Sequence, residues 1–180
     1  MLGRVDREMS GQSHLPSAGR ILIAAIPLAL IGASASATAA AEKMSDPMRF
    51  FEGRTEGTST VKVLARKAYR SRTTGKGEIK DGALHLVQRV NDEGKDPFDR
   101  KWHIRQVAPG RFTGSMSEAK GPVTVEEVGG KYRFRFKMKG GVSIEQWLIP
   151  MPGNKAASSK LVIRKLGITV GTSTGSIRKI

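Results

Sequence analysis

Residues 131–139 read Lys-Tyr-Arg-Phe-Arg-Phe-Lys-Met-Lys, with a cation at every second position and Tyr132, Phe134, Phe136 and Met138 between them. A strand sends successive side chains to opposite faces, so the segment makes one apolar face and one charged face. On a helix the same cations would be spread around the axis. The segment is therefore a half-buried strand. The charged face carries Lys131, Arg133, Arg135, Lys137 and Lys139. The rest of the chain has to bury the other.

The partner on one side can be read directly. Gly129-Gly130 is a two-residue hairpin signal. It pairs Val128 with Lys131, Glu127 with Tyr132, Glu126 with Arg133, Val125 with Phe134 and Val123 with Phe136. Apolar meets apolar, and Glu126 meets Arg133 on the charged face. Such pairs contribute ~0.2–1 kcal/mol each, and a one-residue slip would turn every side chain to the wrong face.

The same alternation recurs along the chain. Thr55 to Leu64 and Ala68 to Thr74 read as extended runs, the second followed by Gly75-Lys76-Gly77. Asp81-Gly82 is a second hairpin signal. Leu84, Leu86, Gln88 and Val90 share a face, as do Trp102, Ile104 and Gln106. Phe50-Phe51 plugs one end of the core behind a polar lead-in at 42–49. Val142 to Ile149, Leu161 to Leu166, Ile168 to Val170 and Ile177 to Ile180 complete the set, though Trp147-Leu148-Ile149 is apolar on both faces and leaves the register open. Eight to ten strands with tight turns predict an up-and-down barrel or a two-sheet sandwich.

The N-terminus reads differently. Arg20 precedes the apolar run Ile21 to Ile31, and Ala/Ser-rich sequence with Ala-x-Ala sites follows. This is the pattern of a secretory signal peptide, and the run is too short for the ~20 apolar residues of a spanning helix. Residues 1–41 are thus expected to be an extension and signal peptide, with one β domain at 42–180. Export would place that domain in the periplasm or outside the cell. The chain has no cysteine, which excludes disulfides, thiolate metal sites, a cysteine nucleophile and a lipidated lipobox. The formal charge is +15, and residues 42–180 keep 28 Lys and Arg against 14 Asp and Glu, a net +14. The basicity belongs to the folded domain and favours anionic partners.

Six pieces, in order, carry a resemblance: Phe50-Phe51-Glu52-Gly53, Lys101-Trp102-His103-Ile104, Gly110-Arg111-Phe112-Thr113-Gly114, Tyr132-Arg133-Phe134-Arg135-Phe136, Glu145-Gln146-Trp147, and Lys165-Leu166-Gly167-Ile168-Thr169-Val170-Gly171. Across residues 50–180 the chain resembles a bacterial envelope family of unknown function, made of small secreted or lipoprotein-like β domains of the calycin, or lipocalin-like, type. The resemblance implies an all-β, closed, antiparallel up-and-down barrel and an envelope location. It supplies no catalytic residues. Some such proteins carry a lipobox cysteine, which this chain lacks.

The sequence carries no complete catalytic or metal-binding constellation. His85 and His103 share a polar face but lack a third metal ligand. Ser115, His103 and Asp99 could be assembled into a triad, yet no nucleophile elbow surrounds Ser115. Asp92, Glu93, Asp96 and Asp99 lack calcium-loop spacing, and Gly75-Lys76-Gly77 lacks the rest of a phosphate loop. No cofactor and no catalytic role are expected. The candidate ligand-binding residues are those assigned to the lumen: Tyr132, Phe134, Phe136, Trp102, Trp147, Gln88 and Gln106. A small hydrophobic or amphiphilic ligand is the expected partner there. The alternative is a non-enzymatic structural or adaptor protein of the envelope that uses the cationic face, Lys131, Arg133, Arg135, Lys137 and Lys139, to contact anionic lipid or glycan. Single-stranded nucleic acid is not expected, because the aromatics and cations occupy opposite faces.

Overall fold

A computed structural model describes residues 46–180. The expected signal peptide lies outside the described residues. One short helix, α1 (Pro47–Phe51), precedes ten strands: β1 (Gly53–Val63), β2 (Tyr69–Lys80), β3 (Ala83–Asp92), β4 (Phe98–Ala108), β5 (Arg111–Met116), β6 (Val123–Val128), β7 (Lys131–Met138), β8 (Val142–Pro150), β9 (Ala156–Lys165) and β10 (Ile168–Lys179). Each strand pairs antiparallel with the next, and β1 pairs with β10 to close the barrel. The sandwich alternative is thereby excluded.

The expected β6–β7 register holds, with Val125 opposite Phe134, Glu126 opposite Arg133 and Val128 opposite Lys131. The Asp81-Gly82 hairpin also forms, joining Lys80 to Ala83. In β7 the alternation is followed residue by residue: Tyr132, Phe134 and Phe136 are buried, while Lys131, Arg135 and Lys137 are exposed.

Three segments differ from expectation. Part of the polar lead-in is the helix α1, too short for a helical period to show. Asp46 caps it, accepting the Met48 amide hydrogen bond at 2.8 Å, and Pro47 occupies the first turn where a missing N–H costs nothing. Its Met48, Phe50 and Phe51 are buried, so the aromatic pair does plug one end of the barrel. Gly75-Lys76-Gly77 is not a break but lies inside β2. A Cβ on Gly77 would run into the Phe51 carbonyl, so the glycine is there to seat α1 against the sheet. The runs at 168–170 and 177–180 are the two ends of one strand, β10.

Inward side chains divide the barrel into unlike walls. From β3 to β8 they are bulky: Leu84, Leu86, Trp102, Ile104, Phe112, Phe134, Phe136 and Leu148 among them. From β9 through β10 and β1 to β2 many are small: Ser159, Ser173, Gly57, Ser59, Ser71 and Thr73. Ten strands enclose a wider interior than eight, and the small wall leaves part of it unfilled.

Tyr132 sits at the α1 end, with only 2% of its surface exposed. Burial, and secondarily the charges of Glu127 and Asp46, push its phenol up to about 12 from 10.0. A raised folded-state value means the phenolate is disfavoured in the fold. The stabilisation is present in full below pH 10 and is lost as pH rises toward 12. A shift of two units corresponds to about 3 kcal/mol. Urea unfolding of wild type and Tyr132→Phe between pH 8 and 12 is expected to show the wild type losing up to that much more. Parallel pH curves would contradict this.

Candidate functional site

The lumen holds a cavity of about 370 Å³, within the ~300–1,000 Å³ typical of small-molecule sites. On one side Phe134 and Phe136 from β7 and Trp102 from β4 present their rings. Trp102 meets Phe136 edge to face, centroids 5.7 Å apart, which fixes both orientations. On the other side lie the serines, Thr73 and the glycine backbone. α1 closes one end with Met48 and Phe51. At the opposite end the lining reaches Tyr69, Asp92 and Arg100, all partly exposed, and this end is the mouth.

The two large polar side chains of the lumen, Gln88 and Gln146, are held in place. The Trp102 indole N–H donates to Gln88 Oε1 at 2.7 Å. Gln146 Nε2 donates to Ser159 Oγ at 2.9 Å, across to the small wall. Each amide is oriented by one bond and keeps further hydrogen-bonding capacity toward the cavity. At the mouth, Lys95 Nζ reaches Asp92 Oδ2 at 3.0 Å and the Tyr69 hydroxyl at 3.3 Å. The Asp92 hydrogen bond holds the Lys95 ammonium above its usual range. Arg100 Nε donates to Glu118 Oε1 at 2.8 Å. These pairs neutralise one another, so the β3–β4 side of the mouth carries fixed dipoles more than net charge.

The lumen candidates fall in three places. Phe134, Phe136, Trp102 and Gln88 line the cavity together. Tyr132 points inward but lies beneath the cavity, where it stacks edge-on with Phe112 at 6.1 Å. Gln106 and Trp147 are corrections. Gln106 has inward parity, but a register shift between Gln106 and Ala108 disrupts the end of β4, and the side chain is exposed beside a polar cleft at the α1 end. Trp147 faces out. It pairs with Arg133, not with the apolar set, and the Arg133 guanidinium lies over its ring at 5.5 Å. The lumen residue missed beside it is Gln146, whose neighbour Leu148 had the right parity all along. The small wall was also missed, since serine and threonine in a strand carry no sign of facing inward.

The outer face of β7 is less free than the sequence suggests. Glu126 accepts from Arg133 at 2.7 Å and from Arg135 at 2.9 Å. The Arg133 hydrogen bond, and then the charges of Arg135 and Arg133, hold its carboxyl below the usual range. Two of the five cations are thus occupied, leaving Lys131, Lys137 and Lys139 at the surface. On the outer face of β3 and β4 His85 and His103 meet ring to ring at 4.7 Å, and Ser115 pairs with His103. Among the described residues no three His, Cys, Asp or Glu side chains gather in a metal-binding group.

Solved structures share the barrel. The S-type phycobiliprotein lyase CPES from Guillardia theta is similar with a TM-score of 0.59 and 8% identity, covering 77% of this chain and 93% of that one. Rv2717c from M. tuberculosis is similar with a TM-score of 0.55 and 10% identity, covering 75% and 98%. At such identities the likeness is one of fold. No curated protein matches the sequence. The sequence match that does exist runs over residues 28–179, to a family described as "Protein of unknown function (DUF3833)". The chain belongs to that family.

Proposed function

We propose that this protein is an exported ligand-binding barrel that holds a small hydrophobic or amphiphilic molecule in its lumen. One observation carries the reading. The cavity of about 370 Å³ runs between an aromatic wall and a wall of small polar residues, where a chain selected only for stability would fill the space. Filling such a void with side chains is ordinarily stabilising, so keeping it open favours an occupant. The rings of Phe134, Phe136 and Trp102 would take the apolar body of the ligand. Gln88 and Gln146 would meet a polar group partway along it. The likeness to a phycobiliprotein lyase adds only that the fold is shared. The periplasmic or extracellular location rests on the signal-peptide pattern before residue 42.

The test is mass spectrometry of an organic extract of the protein purified from its own envelope fraction. A hydrophobe recovered at about one equivalent is the expected result and would give the ligand class. An empty extract from well-folded protein, with no uptake of added fatty acids or aromatic dyes, would overturn the proposal. The reading of the β7 cations as an anionic-lipid or glycan site is weaker, because Glu126 already engages Arg133 and Arg135.

A further inference from the structure

On the β1–β10 side of the barrel mouth three large apolar side chains stand in solvent. Leu64 is 73% exposed, Leu166 91% and Ile168 67%. They come from two neighbouring hairpin tips, because β1 and β10 are paired and the Leu64 amide donates to the Val170 carbonyl at 2.8 Å. Leu166 is there at a backbone cost. The β9–β10 turn is the two-residue Leu166-Gly167, with φ of 51° and 81°. Both positions need a left-handed backbone, where asparagine or glycine would be favoured and a bulky side chain is strained. A leucine in that position, almost wholly exposed, stabilises neither the turn nor the core.

The surroundings point to what covers it. Lys62, Arg66 and Lys67 flank Leu64, and Arg164 and Lys165 flank Leu166. The next tip around the rim is Lys139-Gly140-Gly141. Residues 60–70, 136–144 and 158–170 contain no Asp or Glu. The acids of the rim gather in the next tip on the β2 side, the β3–β4 turn with Asp92, Glu93 and Asp96, where Glu93 accepts from the Arg70 amide at 3.0 Å. Exposed apolar tips set in a field of uncompensated cations match a bilayer surface: the leucines enter the acyl boundary and the cations meet anionic headgroups. A second copy of the chain fits poorly, since it would bring the same cations together. Three side chains also fall well short of the ~800 Å² per partner of a stable dimer.

We propose that the cationic half of the mouth docks on an anionic phospholipid bilayer, with Leu64, Leu166 and Ile168 inserted. The lumen then opens onto the membrane, so the occupant is lipid-like and moves between bilayer and barrel without crossing water. This last step rests on the ligand-binding reading; the docking itself does not.

The chain has no cysteine, so a single Leu166→Cys substitution accepts one environment-sensitive fluorophore. Val107→Cys, at the α1 end, is the matched control. Each labelled protein is mixed with vesicles of phosphatidylcholine alone or with phosphatidylglycerol added. The label at 166 is expected to brighten and shift to the blue on the anionic vesicles only, and the label at 107 to stay unchanged. Reversing Arg66, Lys67 and Lys165 to Glu should weaken the response by about 100-fold. No response at 166, an equal response at both positions, or an equal response on neutral vesicles would overturn the proposal. So would a concentration-dependent response without vesicles, which would mark a self-association face. The Ser173→Trp variant, with its lumen filled, should dock as wild type does. Docking by a wild-type protein that carries no ligand would remove the loading role and leave the docking standing.

Discussion

Ser173→Trp is expected to abolish ligand binding without harming the fold. Ser173 lies on β10 opposite Val61 of β1 and Leu161 of β9, and all three line the cavity. An indole there projects into the void and takes up a large part of the space an occupant would need. Its own apolar surface leaves water, which favours the folded state by roughly 25 cal/mol per Å². The melting temperature should therefore hold or rise, while uptake of 1-anilinonaphthalene-8-sulfonate, and recovery of any native hydrophobe, should fall by at least about ten-fold, a cost of ~1.4 kcal/mol. Undiminished binding by the variant would place the ligand outside the lumen. The substitution separates this cleanly from a folding defect because it adds to the small wall and leaves the packed aromatic wall intact.

Gly77→Val has the opposite character. The new Cβ meets the backbone carbonyl of Phe51, and a backbone atom cannot rotate out of the way. Either β2 bows or α1 lifts off. Lifting α1 exposes Met48, Phe50 and Phe51, each worth ~1.5–3 kcal/mol of burial. It also strands Tyr132 and Leu148, which lie beneath the plug, closer to water. A loss of about 4 kcal/mol is expected, or roughly 10–20 °C in Tm for a domain of this size. Thermal unfolding followed by circular dichroism checks it. Limited proteolysis should find the segment before β1 newly accessible. A variant that melts like wild type would show that α1 contributes little to stability.

The sheet was legible and the helical form of the plug was not, for the same reason. Alternation is a two-residue period and announces itself in six residues, so β7 and its hairpin partner could be placed with their register. Helix α1 has five residues and never completes the repeats by which a helix is recognised. The extended run at 68–74 continues through Gly75 and Gly77 because in-strand glycine serves close approach, here to Thr55 and to Phe51, and those partners are remote in the sequence. The site was half legible. Aromatics between charges revealed one wall of the lumen. Parity alone misplaced Gln106, since the irregularity at the end of β4 cancels it, and Trp147 was put inside on hydrophobicity when its pairing with Arg133 puts it out. The small wall was invisible, because what defines it is the space that Ser159, Ser173 and Thr73 do not fill.

The seam between β1 and β10 has a consequence for how the chain acquires its structure. Nine of the ten strand pairings join sequence neighbours and can zip as successive hairpins. The tenth joins Thr55 to Lys179, the two extremes of the folded domain. Contacts of that separation carry the largest loop-closure entropy and form late. Until β10 arrives, β1 and β9 are both edges with unpaired backbone groups, open to the β1 or β9 of another copy. The nascent domain is thus adhesive until its last dozen residues emerge, and the serines, threonines and glycines of β1 and β10 keep that edge short of the aromatic side chains that would make it more so.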